Sequence, residues 1–157
     1  MIRSLTLALA FISGLALTGP ATAEYAKQKV VYHVNYDNPK QQAGALRNIQ
    51  NHINAVGAEN LDLKVVLHGN GLAMLVEPQA KERLPKFKHA NANDQMTARI
   101  SGLKAQGVGF QVCANTVKGR GVDIEGDLYD VSTADIVPSG VAELAKLQAE
   151  GYTYIKP

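Results

Sequence analysis

Apolar, strand-like runs alternate with helical segments along most of this chain, and this alternation restricts the possible folds more than any other feature. The runs are rich in β-branched and aromatic residues and are bounded by turn residues. They cover residues 29–35, 61–68, 108–113, 134–137 and 152–156. Most are continuous apolar stretches, as expected for strands that are covered on both faces. We therefore predict a three-layer α/β/α sandwich with a mainly parallel five-stranded sheet, because strands joined through helices form right-handed crossovers.

Three long helices are predicted between these strands from apolar residues at helical spacing. Each begins after a capping side chain and ends at a glycine. Their limits are Asn38 to Gly57, Asn91 or Asn93 to Gly107, and Ser139 to Gly151. The stretch 72–76 is expected to form a turn of helix, and the polar residues 114–133 a loop with one short helix. No linker or repeat interrupts the pattern, so we expect a single domain over residues 24–157.

The first 23 residues have the features of a secretory signal peptide. Arg3 provides the positive start, Leu5–Leu17 the apolar run, and Ala21-Thr22-Ala23 the small residues of a cleavage site. The apolar run is shorter than the roughly 20 residues that a membrane-spanning helix needs. We therefore expect cleavage, a periplasmic location and no membrane attachment of the mature chain.

Composition excludes several classes of function. The formal net charge is only +2, and the basic residues are not gathered along one element, so binding to nucleic acid is not expected. A single cysteine excludes an internal disulfide framework and a multi-cysteine metal cluster. The sequence lacks the nucleophile-elbow, P-loop, zinc-protease and dinucleotide-binding motifs.

Chemically capable side chains stand at the ends of three predicted strands. These residues are His33, His68 and Cys113, and an asparagine follows each of them two positions later, at Asn35, Asn70 and Asn115. In open parallel sheets, ligands bind beyond the carboxyl ends of the strands. If the three strands are neighbours, two imidazoles and one thiol converge at one edge of the sheet.

The lone cysteine could link two chains, and within its own chain it has two interpretations. Cys113 is either a small buried apolar residue or a nucleophilic thiolate at the point where the chain leaves the sheet. A helical turn beginning at Asn115 or Thr116, with Lys118 and Arg120 nearby, would lower the pKa of the thiol. Acidic residues from Asp123 onward would oppose that shift if they fold over the sulfur. His68 and His33 likewise have structural interpretations as hydrogen-bonded core histidines.

The chain from about Lys29 to Pro157 resembles the DsrE/DsrF family of sulfur-relay proteins, in a small exported branch. The resemblance rests on the segments at residues 31–35, 46–51, 65–69, 112–116, 137–141 and 147–148. It implies a parallel α/β/α fold, assembly as a homotrimer or homohexamer, and a persulfide on one cysteine. That persulfide-carrying role falls on Cys113.

The leading hypothesis is a periplasmic sulfur-binding or sulfur-transfer protein, whose partner is a donor or acceptor protein or a small sulfur compound. The predicted catalytic residues are Cys113, His68, His33 and Asn115, and the predicted substrate-binding residues are Asn35, Asn70, Thr116, Lys118 and Arg120. No cofactor is expected under this hypothesis. Two alternatives remain: a copper or zinc protein that uses His33, His68 and Cys113, and a non-catalytic oligomeric interaction module.

Overall fold

A five-stranded, all-parallel sheet forms the centre of the protein in the computed structural model, which describes residues 25–157. The strands are β1 (Gln28–Val34), β2 (Leu61–Leu67), β3 (Gly109–Cys113), β4 (Ile136–Val137) and β5 (Thr153–Ile155). They lie in the order β4-β3-β2-β1-β5, and every neighbouring pair is parallel. The predicted fold class is confirmed. The signal-peptide prediction concerns residues outside the described range.

The helices begin and end at capping residues that the sequence displays. They are α1 (Pro39–Val56), α2 (Asp94–Ala105), α3 (Ala114–Arg120), α4 (Ile124–Asp127) and α5 (Gly140–Ala149), and four short 3-10 helices cover 58–60, 69–74, 78–80 and 133–135. The Asn38 side chain accepts hydrogen bonds from the first amides of α1. Asn93 caps α2, whereas Asn91 is buried and donates its amide to Gln42. The capping role therefore falls on Asn93.

Helices cover both faces of the sheet. On one face, α1 and α2 contribute to the main apolar core, which includes Leu46, Ile49 and Ile100. On the other face, Leu144 and Leu147 of α5 form a smaller cluster with Val31 of β1 and Val66 of β2. Because side chains alternate between faces along a strand, residues two positions after Val31 and Val66 also lie on the α5 side. Those residues are His33 and His68.

Residues 114–133 differ from the prediction of a loop with one short helix. They contain two short helices, and α3 begins directly after Cys113, earlier than the expected start at Asn115 or Thr116. Both helices are at most two turns long, so they contain too few apolar residues for a helical period to be visible in the sequence.

A glycine allows close packing just beyond the carboxyl end of the sheet. A Cβ atom on Gly71 would lie 1.9 Å from the carbonyl oxygen of Val34, so only glycine fits there. Gly71 belongs to the 3-10 helix Gly69–Met74, which begins earlier than the turn of helix expected at 72–76 and covers its first three residues. Within residues 25–157, no helix combines the length and apolar character needed to cross a membrane.

Candidate functional site

The three residues predicted at strand ends meet at the carboxyl edge of the sheet. Leu67 of β2 pairs with Val112 of β3, so the next residues, His68 and Cys113, are adjacent across the two strands. His33 lies on β1, on the other side of β2. The predicted convergence of two imidazoles and one thiol is therefore present in the structure.

Gly140, the first residue of α5, packs against this edge. A Cβ atom on Gly140 would lie 2.9 Å from the Cβ of His68 and 3.3 Å from the Cβ of Cys113. The backbone of α5 can approach both residues only because position 140 has no side chain. The Ser139 side chain accepts a hydrogen bond from the Ala142 amide and so fixes the start of this helix.

The sulfur of Cys113 is buried among hydrogen-bond donors. Burial raises the pKa of the thiol, but the backbone amides of Gly140, Thr116 and Asn115 and the Thr116 hydroxyl outweigh burial and lower it below its usual value. These amides belong to the first turns of α3 and α5, where amide groups have no partner within their own helix. The surroundings therefore favour a thiolate, although Cys113 is only 5% exposed.

The Thr116 hydroxyl is a hydrogen-bond donor toward the Cys113 thiolate. Its oxygen accepts a hydrogen bond of 2.8 Å from the backbone amide of Gly69. A hydroxyl has a single proton, and that proton remains for Cys113. The same contact joins α3 to the segment that follows His68, so it also fixes the relative positions of the thiol and this imidazole.

The two histidines are hydrogen-bonded to each other. The Nε2 atoms of His33 and His68 are 2.7 Å apart, and Nδ1 of His33 lies 2.6 Å from the phenol oxygen of Tyr154 on β5. Burial, the neighbouring His68 and the positive charge of Lys156 lower the pKa of His33 to about 4. Burial and Lys156 also lower the pKa of His68. Both imidazoles are therefore neutral at pH 7.

The basic and acidic groups of the following loop do not control the thiol. The Arg120 guanidinium donates to the Asn70 side chain at 2.5 Å and to the Lys86 carbonyl at 2.6 Å. Asp123 caps α4, and the buried Asp127 pairs with Arg83. The pKa of Cys113 is set by burial and by the adjacent amides and hydroxyl, and not by the cations or acids that the sequence suggested.

The other predicted residues occupy different parts of this edge. The Asn115 amide faces the sulfur, whereas residue 115 as a whole is exposed. Lys118 is exposed on α3, and the half-buried Asn35 follows β1 close to Gly71. Substrate binding by Asn35, Asn70, Thr116, Lys118 and Arg120 remains a prediction.

Sequence reasoning missed three participants: Tyr154, Lys156 and Gly140. The first two lie in the predicted strand 152–156, and their proximity to His33 follows only from the pairing of β5 with β1. Gly140 follows the capping Ser139, which was the one available signal. The metal alternative gains no support, because within residues 25–157 no three His, Cys, Asp or Glu side chains are grouped so that they could hold an ion.

Comparison with known proteins agrees with this architecture. A protein of unknown function from Methanobacterium thermoautotrophicum, MTH1491, has a similar solved structure, with a TM-score of 0.65 and 26% sequence identity. The match covers 83% of this chain and 99% of that one. No match was found among curated proteins. The model of the DsrE/DsrF-like family matches residues 28–157, and the chain therefore belongs to the DsrE/DsrF-like family.

Proposed function

We propose that this protein carries sulfane sulfur as a persulfide on Cys113 and passes it to an acceptor. Membership of the DsrE/DsrF-like family, which is associated with sulfur relay, supports the general role. One observation carries the specific proposal: the Cys113 sulfur is surrounded by three backbone amides and one hydroxyl that lower its pKa. A thiolate is the form of cysteine that attacks sulfur compounds.

Formation of the persulfide, which we call loading, needs only one cysteine. The Cys113 thiolate attacks the outer sulfur of thiosulfate, a Cys113–S bond forms, and the S–S bond of thiosulfate breaks. Its electron pair leaves with sulfite, so Cys113–S–S⁻ and sulfite are the products. With a polysulfide, the leaving group is the polysulfide shortened by one sulfur atom. No other oxidant or reductant is required.

The surroundings of Cys113 suit a small donor or one extended side chain. Because the cysteine is only 5% exposed, a bulky reagent cannot surround the sulfur. Burial also keeps the thiolate away from oxidants that would convert it to higher oxidation states. The amides that stabilise the thiolate would also stabilise this sulfur as the leaving group when the persulfide is transferred.

Mass spectrometry of the intact protein tests the persulfide. After incubation with polysulfide or thiosulfate, we expect the wild-type mass to increase by one sulfur atom. The Cys113→Ser variant keeps the size of the side chain but lacks the nucleophile, so it should not change in mass. The proposal is wrong if the wild-type protein gains no sulfur, or if Cys113→Ser gains as much.

We also propose that the protein works in the bacterial periplasm after removal of residues 1–23. The positive start, apolar run and Ala21-Thr22-Ala23 site support this location. When all 157 residues are expressed in a Gram-negative host, the osmotic-shock fluid should contain a processed protein whose first residue is Glu24. Retention in the cytoplasm with Met1 still present would contradict export.

Assembly of several copies is part of the proposal. The family resemblance implies a homotrimer or homohexamer, and light scattering after size-exclusion chromatography measures the mass directly. We expect three or six times the protomer mass at micromolar concentration. A single-protomer mass would contradict this arrangement without affecting the chemistry at Cys113.

A further inference from the structure

A continuous hydrogen-bonded path leads from the thiol edge to the protein surface. It runs from His68 through the 2.7 Å contact to His33, and then through the 2.6 Å contact to the phenol of Tyr154. The two imidazole rings meet edge to edge and are nearly coplanar, with centroids 4.7 Å apart and planes 21° apart. His33 is buried, whereas Tyr154 is 39% exposed. The path therefore begins beside Cys113 and ends in solvent.

Each contact along this path can hold only one proton. When His33 donates from Nε2 to His68, its Nδ1 accepts the phenol proton of Tyr154. In the opposite arrangement His68 donates to Nε2 of His33, and Nδ1 of His33 donates to the phenol oxygen. A neutral imidazole has one donor and one acceptor nitrogen, so a shift of protons along the path converts one arrangement into the other. The nearby charge of Lys156 helps to keep both rings neutral and able to shift.

We propose that His68, His33 and Tyr154 form a proton relay that serves the release of sulfur from Cys113. This inference rests on the proposed persulfide function. His68 is the proton donor at the sulfur, and His33 and Tyr154 are positioning residues that act through it.

The need for a proton arises in the release step. A persulfide anion is a poor target for a second anion, so the outer sulfur must gain a proton before an acceptor thiolate attacks it. His68 delivers that proton, His33 replaces it from Nε2, and Tyr154 replaces the proton of His33. The acceptor thiol loses its own proton to water at the surface, and this restores the phenol.

The release step is balanced in atoms and charge. The acceptor thiolate forms a bond to the outer sulfur, the Cys113 S–S bond breaks, and its electron pair remains on Cys113. Overall, Cys113–S–S⁻ and R–SH become Cys113–S⁻ and R–S–SH. Loading from thiosulfate transfers no proton, because both the attacking and the leaving groups are anions. The relay should therefore affect release and leave loading unchanged.

The Tyr154→Phe variant separates these two steps. It removes the phenol hydroxyl and keeps the ring, so loading by thiosulfate should proceed at the wild-type rate. Release to 2-mercaptoethanol, followed as loss of the added sulfur by mass spectrometry, should slow on the order of a hundredfold, the lower end of the range for general acid catalysis, because the proton that His68 gives up is no longer replaced. Nitrogen NMR should also show a changed proton distribution between Nδ1 and Nε2 of His33.

Tyr152→Phe is the matched control. Tyr152 packs on the same face of the sheet, but its hydroxyl donates to Asp62 at 2.5 Å, away from the thiol. This variant should load and release sulfur as the wild type does. Release that is equally fast in Tyr154→Phe and the wild type, or equal slowing of loading and release, would overturn the relay. A wild-type protein that never loads would instead overturn the proposed function, and the relay with it.

Discussion

At the scale of single residues, the Thr116 hydroxyl lowers the pKa of Cys113, whereas burial alone would raise it. Its oxygen accepts a hydrogen bond from the Gly69 amide, and its proton is donated to the Cys113 thiolate. Burial of Cys113 raises the pKa of the thiol, and the net lowering therefore depends on a small number of donors. Removing one donor should therefore raise the pKa of Cys113 measurably.

We expect Thr116→Val to raise the pKa of Cys113 and to slow its alkylation at pH 7 by about tenfold, because a hydrogen bond to a charged group is lost. The Gly69 amide also loses its acceptor, which costs about 1 kcal/mol of unfolding free energy. The measurement is the rate of reaction with iodoacetamide as a function of pH.

Thr97→Val is the control for this substitution. The Thr97 hydroxyl donates to the Asp94 carbonyl within α2 and has no contact with the thiol. In the Thr97→Val variant, the pH dependence of Cys113 alkylation should match that of the wild type. If Thr116→Val shows the wild-type profile too, the hydroxyl does not stabilise the thiolate.

The main site residues could be recognised from the sequence, but their partners could not. His33 lies near the end of a strand-like run, His68 and Cys113 each end one, and the carboxyl ends of parallel strands meet at one edge. Tyr154 and Lys156 approach His33 only because β5 is placed next to β1. Strand order depends on how the helices pack, and local sequence patterns do not encode it.

At the scale of secondary-structure elements, the start of α5 controls the site. Gly140 stands in the first turn of that helix, where alanine would normally be favoured over glycine. Here a Cβ would contact the Cβ of His68 at 2.9 Å and crowd Cys113 at 3.3 Å. The helix would have to move away from the edge of the sheet, and the Gly140 amide would move away from the sulfur.

We expect Gly140→Ala to lower the unfolding free energy by about 1–3 kcal/mol, in the range for an overpacked site. It should also raise the pKa of Cys113, because one of the donated hydrogen bonds lengthens. Chemical denaturation and the pH dependence of alkylation measure the two effects.

Gly102→Ala provides the comparison within another helix. Nothing lies within 4 Å of a Cβ at Gly102 in α2, so this variant should be more stable than the wild type by about 0.5–1 kcal/mol. If Gly140→Ala is stabilised to the same degree, α5 does not approach the site closely.

Elements were easier to predict where capping residues mark their limits. The long helices end one or two residues before Gly57, Gly107 and Gly151, all of which have positive φ angles near 90°. The alternation of strands and helices along the chain was sufficient to predict the parallel sheet. The start of α3 was predicted one or two residues late and α4 was missed, because a helix of one or two turns is stabilised by its tertiary contacts and not by an apolar period.

At the scale of the whole molecule, burial of histidines makes stability depend on pH. The pKa of His33 is lowered to about 4 by burial, His68 and Lys156, and burial also lowers the pKa values of His68 and His52. In the unfolded chain these imidazoles regain their ordinary pKa near 6.5. Below pH 6.5 the unfolded chain therefore binds more protons than the folded protein does.

The free energy of unfolding should consequently fall as the pH decreases from 6.5 toward 4, and should be unaffected by these groups above pH 7. His33 alone should account for a loss on the order of 1–2 kcal/mol between pH 7 and pH 5. Urea denaturation at several pH values measures this slope.

His33→Asn should reduce the slope, because it removes the imidazole whose pKa is lowered most clearly. His89→Asn is the control, since His89 lies in the loop between Pro78–Ala80 and α2 and has no contact with the two imidazoles of the relay. We expect the wild type and His89→Asn to lose stability in parallel on acidification, and His33→Asn to lose less. If the free energy of unfolding had the same pH dependence in all three proteins, His33 would be protonated as readily in the folded protein as in the unfolded chain. The relay needs two neutral imidazoles, so that result would contradict it.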